Sequence, residues 1–185
     1  NTDDNLYKNF WPASLHVIGK DILRFHAIYW PAFLLAANIK PPIRVFGHGW
    51  ILSGDEKMSK SKGNILNPLE IIENYGIDEL RYYLMKEVSH GSDGSISLKN
   101  LASCINSDLA NNYGNLCQRV FSFIKNNCSN IVTKTNNLSD ADIKLIEQTR
   151  DLTKNLRNDM NKLNLNNYIK SIINISFLTN KYIND

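Results

Sequence analysis

An α/β unit followed by an all-α bundle is the fold class this sequence predicts, and three observations carry it. Residues 1–97 set short β-branched runs between glycine and proline turns, whereas residues 98–185 contain no proline and one glycine, Gly114. The first part reads strand, helix, strand, the order of a parallel sheet. In the second part apolar residues recur every three or four positions over about seven turns. The loop cluster Gly91-Ser92-Asp93-Gly94-Ser95 marks the change of texture. The expected organisation is therefore one domain over 1–97 and a helical one over 98–185.

In chain order, Leu15 to Ile18 reads as a short buried strand ending at Gly19. Asp21 is placed to cap a helix through Ile22, Phe25, Ile28 and Tyr29 to about Ala37, with a kink or restart at Pro31. Pro41-Pro42 ends that segment, and Ile43 to Phe46 reads as a second strand closed by Gly47. Ligands on such sheets sit at the carboxyl ends of the strands, where both glycine turns fall. A polar loop is expected from Ser53 to Asn64. Asn67-Pro68 then opens a helix that Gly76 closes, and Asp78 is placed to cap the next.

The second part predicts one long helix with Leu101, Ile105, Leu109, Tyr113, Leu116, Val120 and Phe123 on its apolar stripe. Asn111, Asn115, Gln118 and Ser122 fall opposite, and Arg119 borders the stripe. Ser139 and Asp140 begin a second helix to about Leu163, and a third runs from about Asn167 to Ile183. Three such helices make a small bundle.

Composition narrows the class. With 43% hydrophobic and 21% charged residues, the chain is neither disordered nor fibrous. Its longest apolar stretch, around Ile28 to Ala37, contains Pro31 and is shorter than the ~20 residues of a membrane span. Cys104, Cys117 and Cys128 form neither a disulfide framework nor a C-x-x-C zinc pair, so a cytoplasmic protein with reduced thiols and no metal site in this chain is expected. Residues 1–100 hold 11 basic and 11 acidic side chains; residues 101–185 hold 10 and 7. That surplus permits nucleic-acid binding without proving it. Asparagine rises from 7 in residues 1–97 to 19 in 98–185, a bias that by itself describes a solvated surface.

The chemistry concentrates in Gly54-Asp55-Glu56-Lys57-Met58-Ser59-Lys60-Ser61-Lys62-Gly63-Asn64. Three lysines and two serines lie within six residues, with a glycine on each side. Such a loop can close over a polyphosphate, placing ammonium groups, hydroxyls and backbone N–H groups against it. The same composition, taken alone, also describes a solvated lysine turn.

The string Lys57-Met58-Ser59-Lys60-Ser61 resembles the KMSKS loop of the class I aminoacyl-tRNA synthetases. Its continuation through Pro68, Tyr75-Gly76-Ile77-Asp78 and Leu80-Arg81-Tyr82-Tyr83-Leu84 is similar to that class too. The run from His16 to Ile22, with Phe25-His26 and Trp30-Pro31-Ala32, resembles the methionyl-tRNA synthetase family in particular. So does Asn106-Ser107-Asp108-Leu109-Ala110-Asn111-Asn112-Tyr113-Gly114-Asn115-Leu116, with Arg119.

The resemblance implies the C-terminal part of a Rossmann-type parallel-sheet domain carrying the KMSKS loop, then an anticodon-binding helix bundle. It implies a methionine–tRNA ligase: methionine and ATP, accompanied by Mg²⁺, form methionyl-adenylate, and the methionyl group passes to tRNA(Met). Lys57 and Lys60 would be the catalytic residues, stabilising charge on the phosphates. Gly19, Asp21, Lys57, Ser59 and Lys60 would bind ATP. Phe25 and His26 would line the methionine pocket, with an aromatic face and a weakly donating N–H for the thioether sulfur. Asn115 and Arg119, four apart on one helix, would contact the anticodon. Trp30 is expected to pack on the sheet rather than line the substrate.

The HIGH-type ATP motif and the insertion of the family that could carry zinc are absent from this sequence. The chain also opens without an initiator Met. A fragment, inactive in methionine activation by itself, is therefore expected. A non-catalytic tRNA-binding helical module with a remnant nucleotide-binding domain is the alternative. A small nucleotidyltransferase with a similar lysine loop is a further rival, though it leaves the helical part unexplained.

Overall fold

The computed structural model describes residues 4–54, 56–59, 63–89 and 91–184. Helix α1 (Asp4–Phe10) leads to strand β1 (His16–Gly19). A single helical rod follows, built from a 3₁₀ turn (Lys20–Ile22), a π turn (Phe25–Tyr29) and helix α2 (Trp30–Ala36). Pro31 stands in the first turn of α2, directly after the π turn, where the change of helical pitch falls. The rod begins two residues earlier than the sequence suggests. Gly19, in extended conformation, occupies the cap position, and Asp21 sits inside the first turn.

Strand β2 (Val45–His48) pairs with β1 in parallel, with His16 opposite Val45 and Gly19 opposite His48. The strand-helix-strand unit is thus present. The second strand lies two residues later than expected and contains Gly47, because Ile43 is spent on a backbone bond to Ala13 beside the proline pair.

The segment expected to be loop begins as a hairpin. Strands β3 (Ile51–Ser53) and β4 (Glu56–Lys57) are antiparallel, with Leu52 opposite Lys57. Helix α3 (Pro68–Tyr75) starts with the Asn67 side chain accepting from Leu69 N–H, a cap worth about 1 kcal/mol. Gly76, at φ 105°, joins α3 to α4 (Ile77–Glu87), so Asp78 falls in the first turn of α4 instead of capping it. Strand β5 (Gly94–Ile96) then pairs in parallel with β3. The Gly91–Ser95 cluster is therefore partly strand, recruited by a non-local partner that local composition does not report.

The long helix is continuous but changes pitch: α5 (Leu98–Cys104), a π segment (Ile105–Gly114) and α6 (Asn115–Asn127). Its buried line is Leu101, Cys104, Asp108 and Asn112. The expected stripe is displaced by about one residue along the π segment, leaving Tyr113 and Phe123 exposed. Asn111, Asn115, Gln118 and Ser122 face outward as expected. Ser139 caps α7 (Asp140–Thr153) in a reciprocal box with Asp142. The predicted second helix is interrupted before α8 (Leu156–Asn161), and α9 (Leu165–Asn184) closes the bundle.

The core runs across the 97/98 junction. Ile71, Leu80, Tyr83 and Ile96 from the first part pack with Leu101 and Cys104 from the second, and Met58 rests on the same cluster. The Arg44 guanidinium, just before β2, donates to the carbonyls of Asn161 (2.5 Å) and Lys162 (3.3 Å) at the end of α8.

Candidate active site and anticodon-binding face

The carboxyl ends of β1 and β2 bring Gly19 and His48 side by side. The Asp21 carboxylate folds back over Gly19: a Cβ added there would stand 2.5 Å from Asp21 Oδ1. Glycine is what lets the carboxylate lie against the backbone at this turn. Gly49 is held harder, since its added Cβ would fall 2.1 Å from the Ser92 carbonyl oxygen.

Beyond β1 lies a concavity of about 720 Å³, walled by Leu15, Val17 and Ile18 on one side and by the helical rod on the other. Phe25 and His26 both line it. So do Tyr29, Trp30 and Phe33, none of which the sequence placed in the pocket. Their spacing, 25-29-33, was the available signal: one helix face made of aromatic rings. Phe25 and Tyr29 meet edge to face at 5.7 Å. Trp30 meets Trp11, which lies outside the sheet, edge-on at 6.2 Å, and it also borders the concavity rather than packing on the sheet alone. His26 Nδ1 lies 3.0 Å from the Ile22 carbonyl oxygen. A carbonyl can only accept, so Nδ1 donates in this contact. That contact occupies Nδ1 and leaves Nε2 and the ring face on the side of the concavity.

The lysine loop is anchored at both ends. Met58 is set into the core cluster. The Asn64 side chain accepts from Ser59 N–H at 2.8 Å and donates to the Lys57 carbonyl at 3.4 Å, bracketing the start of the motif. Gly54 and Gly63 flank the loop with positive φ, 63° and 64°. The Lys57 ammonium stands 3.6 Å from the centroid of Trp50. Lys60 lies outside the described residues. Lys20, next to Gly19, pairs with Asp93 at 2.5 Å. That ammonium, with the Trp50 N–H, holds the Asp93 carboxyl below the usual carboxylate range.

On the helical part, Asn115 and Arg119 lie one turn apart on α6. Asn115 is exposed and donates to the Asn111 carbonyl at 3.0 Å. The half-buried Arg119 guanidinium donates to Asn180 Oδ1 at 3.4 Å and Asn184 Oδ1 at 2.5 Å on α9. Asn180 in turn donates to the carbonyl and side-chain oxygen of buried Asn112, both at 2.9 Å. Part of the asparagine bias is therefore interior: these amides tie the long helix to α9.

Between the two regions sits a buried charge network. Asp108 accepts from Tyr82 OH and Lys86 Nζ, each at 2.6 Å, and from Ser107 OH at 2.8 Å. Burial pushes the Asp108 carboxyl up, but Lys86, Tyr82 and Ser107 outweigh it, and the group is held below the usual range. Burial lowers the Lys86 ammonium, and Asp108 and Glu87 more than reverse that. Burial first, then Asp108, pushes the Tyr82 hydroxyl far up. The Lys86 carbonyl accepts from Asn166 Nδ2 at the start of α9. Among the described residues, no group of three or more His, Cys, Asp and Glu side chains is placed to hold a metal ion.

Residues 1–121 match the family described as "tRNA synthetases class I (M)", and the chain belongs to that family. Its relatives carry the name methionine–tRNA ligase. That of Rhizobium meliloti (strain 1021) is 46% identical over 173 residues, 94% of this chain and 34% of its own length. That of Mycobacterium leprae (strain TN) is 40% identical over 181 residues, 98% and 34%. A solved structure of Mycobacterium tuberculosis methionyl-tRNA synthetase in complex with methionyl-adenylate superposes with a TM-score of 0.92 at 42% identity. It covers 100% of this chain and 36% of its own. The chain thus spans about a third of the length of the curated relatives it matches. No helix among the described residues is long and apolar enough to cross a membrane.

Proposed function

We propose that the full-length protein is a methionine–tRNA ligase, with the catalytic chemistry at the lysine loop and the anticodon contact on α6. The observation that carries this reading is the convergence at the ends of β1 and β2. The Gly19–Asp21 turn, the aromatic concavity and the chain leading into the Lys57-Met58-Ser59 motif all meet there.

Each residue then has a task. Asp21 accepts from the ribose hydroxyls of ATP over Gly19. Ser59 and the ammonium groups of Lys57 and Lys60 stabilise the phosphates as the methionine carboxylate attacks the α-phosphorus and pyrophosphate leaves. Mg²⁺ arrives with ATP as part of the substrate. The face formed by Phe25, Tyr29 and Phe33 offers polarizable rings to the methionine thioether, and His26 closes its edge. Asn115 presents paired donor and acceptor groups to a splayed anticodon base, and Arg119 stacks on or bonds to its neighbour. Residues 1–97 act as the catalytic part and 98–185 as the anticodon part. Three free thiols and a role in translation fit a cytoplasmic compartment.

The reaction belongs to the full-length protein, and the 185 residues alone are not expected to form adenylate. The test is methionine-dependent exchange of pyrophosphate into ATP by the full-length protein, followed by charging of tRNA(Met). Exchange supported by another amino acid would overturn the specificity assigned to the concavity. Tight tRNA binding without any exchange would select the non-catalytic tRNA-binding module instead.

A further inference from the structure

We infer that Trp50 is a positioning residue for Lys57: its indole face holds the first lysine of the loop beside the Gly19–Asp21 turn before ATP arrives. The kinetic consequence rests on the function proposed above; the contact itself does not. The Lys57 ammonium lies 3.6 Å from the Trp50 centroid, well inside the ~6 Å over which a ring attracts a cation, and indole is the strongest such ring.

The backbone that carries the indole is itself held in place. The Trp50 backbone N–H donates to Asp93 Oδ1 at 2.8 Å, and the same oxygen takes the Lys20 ammonium at 2.5 Å. That ammonium stands 6.0 Å from the Trp50 centroid. Lys20 directly follows Gly19, Trp50 directly precedes β3, and Asp93 directly precedes β5, so three segments converge on one residue. Lys57 reaches the ring from β4, whose register against β3 is set by the Leu52–Lys57 pair.

An exposed lysine explores many rotamers, and freezing it when ATP binds costs side-chain entropy. A ring that already confines the ammonium near the site removes part of that cost in advance. Trp50 therefore acts through Lys57 and needs no contact with substrate.

The experiment uses the full-length protein. Trp50→Leu should lower kcat/KM for ATP in pyrophosphate exchange two- to five-fold. That factor corresponds to about 0.5–1 kcal/mol at 1.4 kcal/mol per tenfold. KM for methionine should not move, and Trp50→Phe should recover most of the loss. In a Lys57→Met background, Trp50→Leu should cost nothing further. An unchanged kcat/KM, or an equal loss with and without Lys57, overturns the inference.

A second readout needs no activity. In protein labelled with 5-fluorotryptophan, the Trp50 resonance is identified by its disappearance in Trp50→Phe. It should shift when Lys57→Met is introduced without nucleotide, and a resonance that stays in place overturns the contact. A shift in a protein that exchanges no pyrophosphate supports the contact and overturns the functional reading instead.

Discussion

Two glycines near the ends of the parallel strands look alike in sequence but are constrained by different atoms, so the same substitution should fail in different ways. At Gly19 the nearest atom to an added Cβ is the Asp21 carboxylate oxygen, the movable end of a side chain. Gly19→Ala should displace that carboxylate, raising KM for ATP severalfold while leaving the melting temperature nearly unchanged. At Gly49 the obstacle is the Ser92 backbone. Gly49→Ala should destabilise the fold by roughly 1–3 kcal/mol, the usual cost of overpacking, visible as a lower denaturation midpoint. Equal melting losses for the two variants would refute the distinction. His26 is half-buried with its Nδ1 on the Ile22 carbonyl. His26→Ala should raise KM for methionine and leave that for ATP alone, as a ground-state pocket contact does. Isothermal titration with methionine checks it, and an unaltered affinity reduces His26 to a packing residue.

At the scale of elements, the contact between α4 and the long helix depends on a charge pair. Tyr82 and Lys86 project from α4 to Asp108 on the π segment, and the Asp108 side chain is only 6% exposed. Removing one partner strands the other in a water-poor interior, so Asp108→Ala should cost about 3–5 kcal/mol. Its pH dependence follows from the directions of the shifts. The Asp108 carboxyl is depressed in the fold, so its contribution is full above the ordinary 3.8 and is lost as pH falls through the lower folded value. The Lys86 ammonium is raised, so its contribution is full below 10.5 and is lost only as pH rises through the higher folded value. Melting curves of the unmodified protein and Asp108→Asn should therefore differ by a constant amount near neutrality and draw together below pH 3.8. A gap that persists into that acid range would show the pair to be neutral.

Across the whole molecule, the proposed catalytic and anticodon regions carry different side-chain chemistry and are joined by packing. Arg119 is tied to α9 through Asn180 and Asn184, whereas the lysine loop is tied to the core through Met58. Arg119→Ala in the full-length protein should leave adenylate formation intact and slow tRNA charging, at roughly 1–3 kcal/mol per lost base contact. The comparison is tRNA with the methionine anticodon against the same tRNA with one anticodon base changed. A uniform loss for both, with a flatter salt dependence, would make Arg119 a phosphate contact.

Local chemistry carried much of this architecture. The order strand, helix, strand along the first part, the Asn67-Pro68 start and Gly76 end of α3, the Ser139 cap and the lysine motif each depend on residues within a few positions of each other. Short-range capping, φ preference and periodicity report these faithfully. Tertiary structure decided the rest, because the deciding partner lies far along the chain. Residues 94–96 become a strand only because β3 offers a free edge about forty residues earlier. The long helix turns Asp108 and Asn112 inward because Tyr82 and Lys86 on α4, and Ile173 and Asn180 on α9, supply partners that make burying polar groups affordable in free energy. Periodicity alone placed Tyr113 there. The loop motif was legible as a string of residues, but the Trp50 ring under Lys57 was not, since neither residue encodes the fold that brings them together.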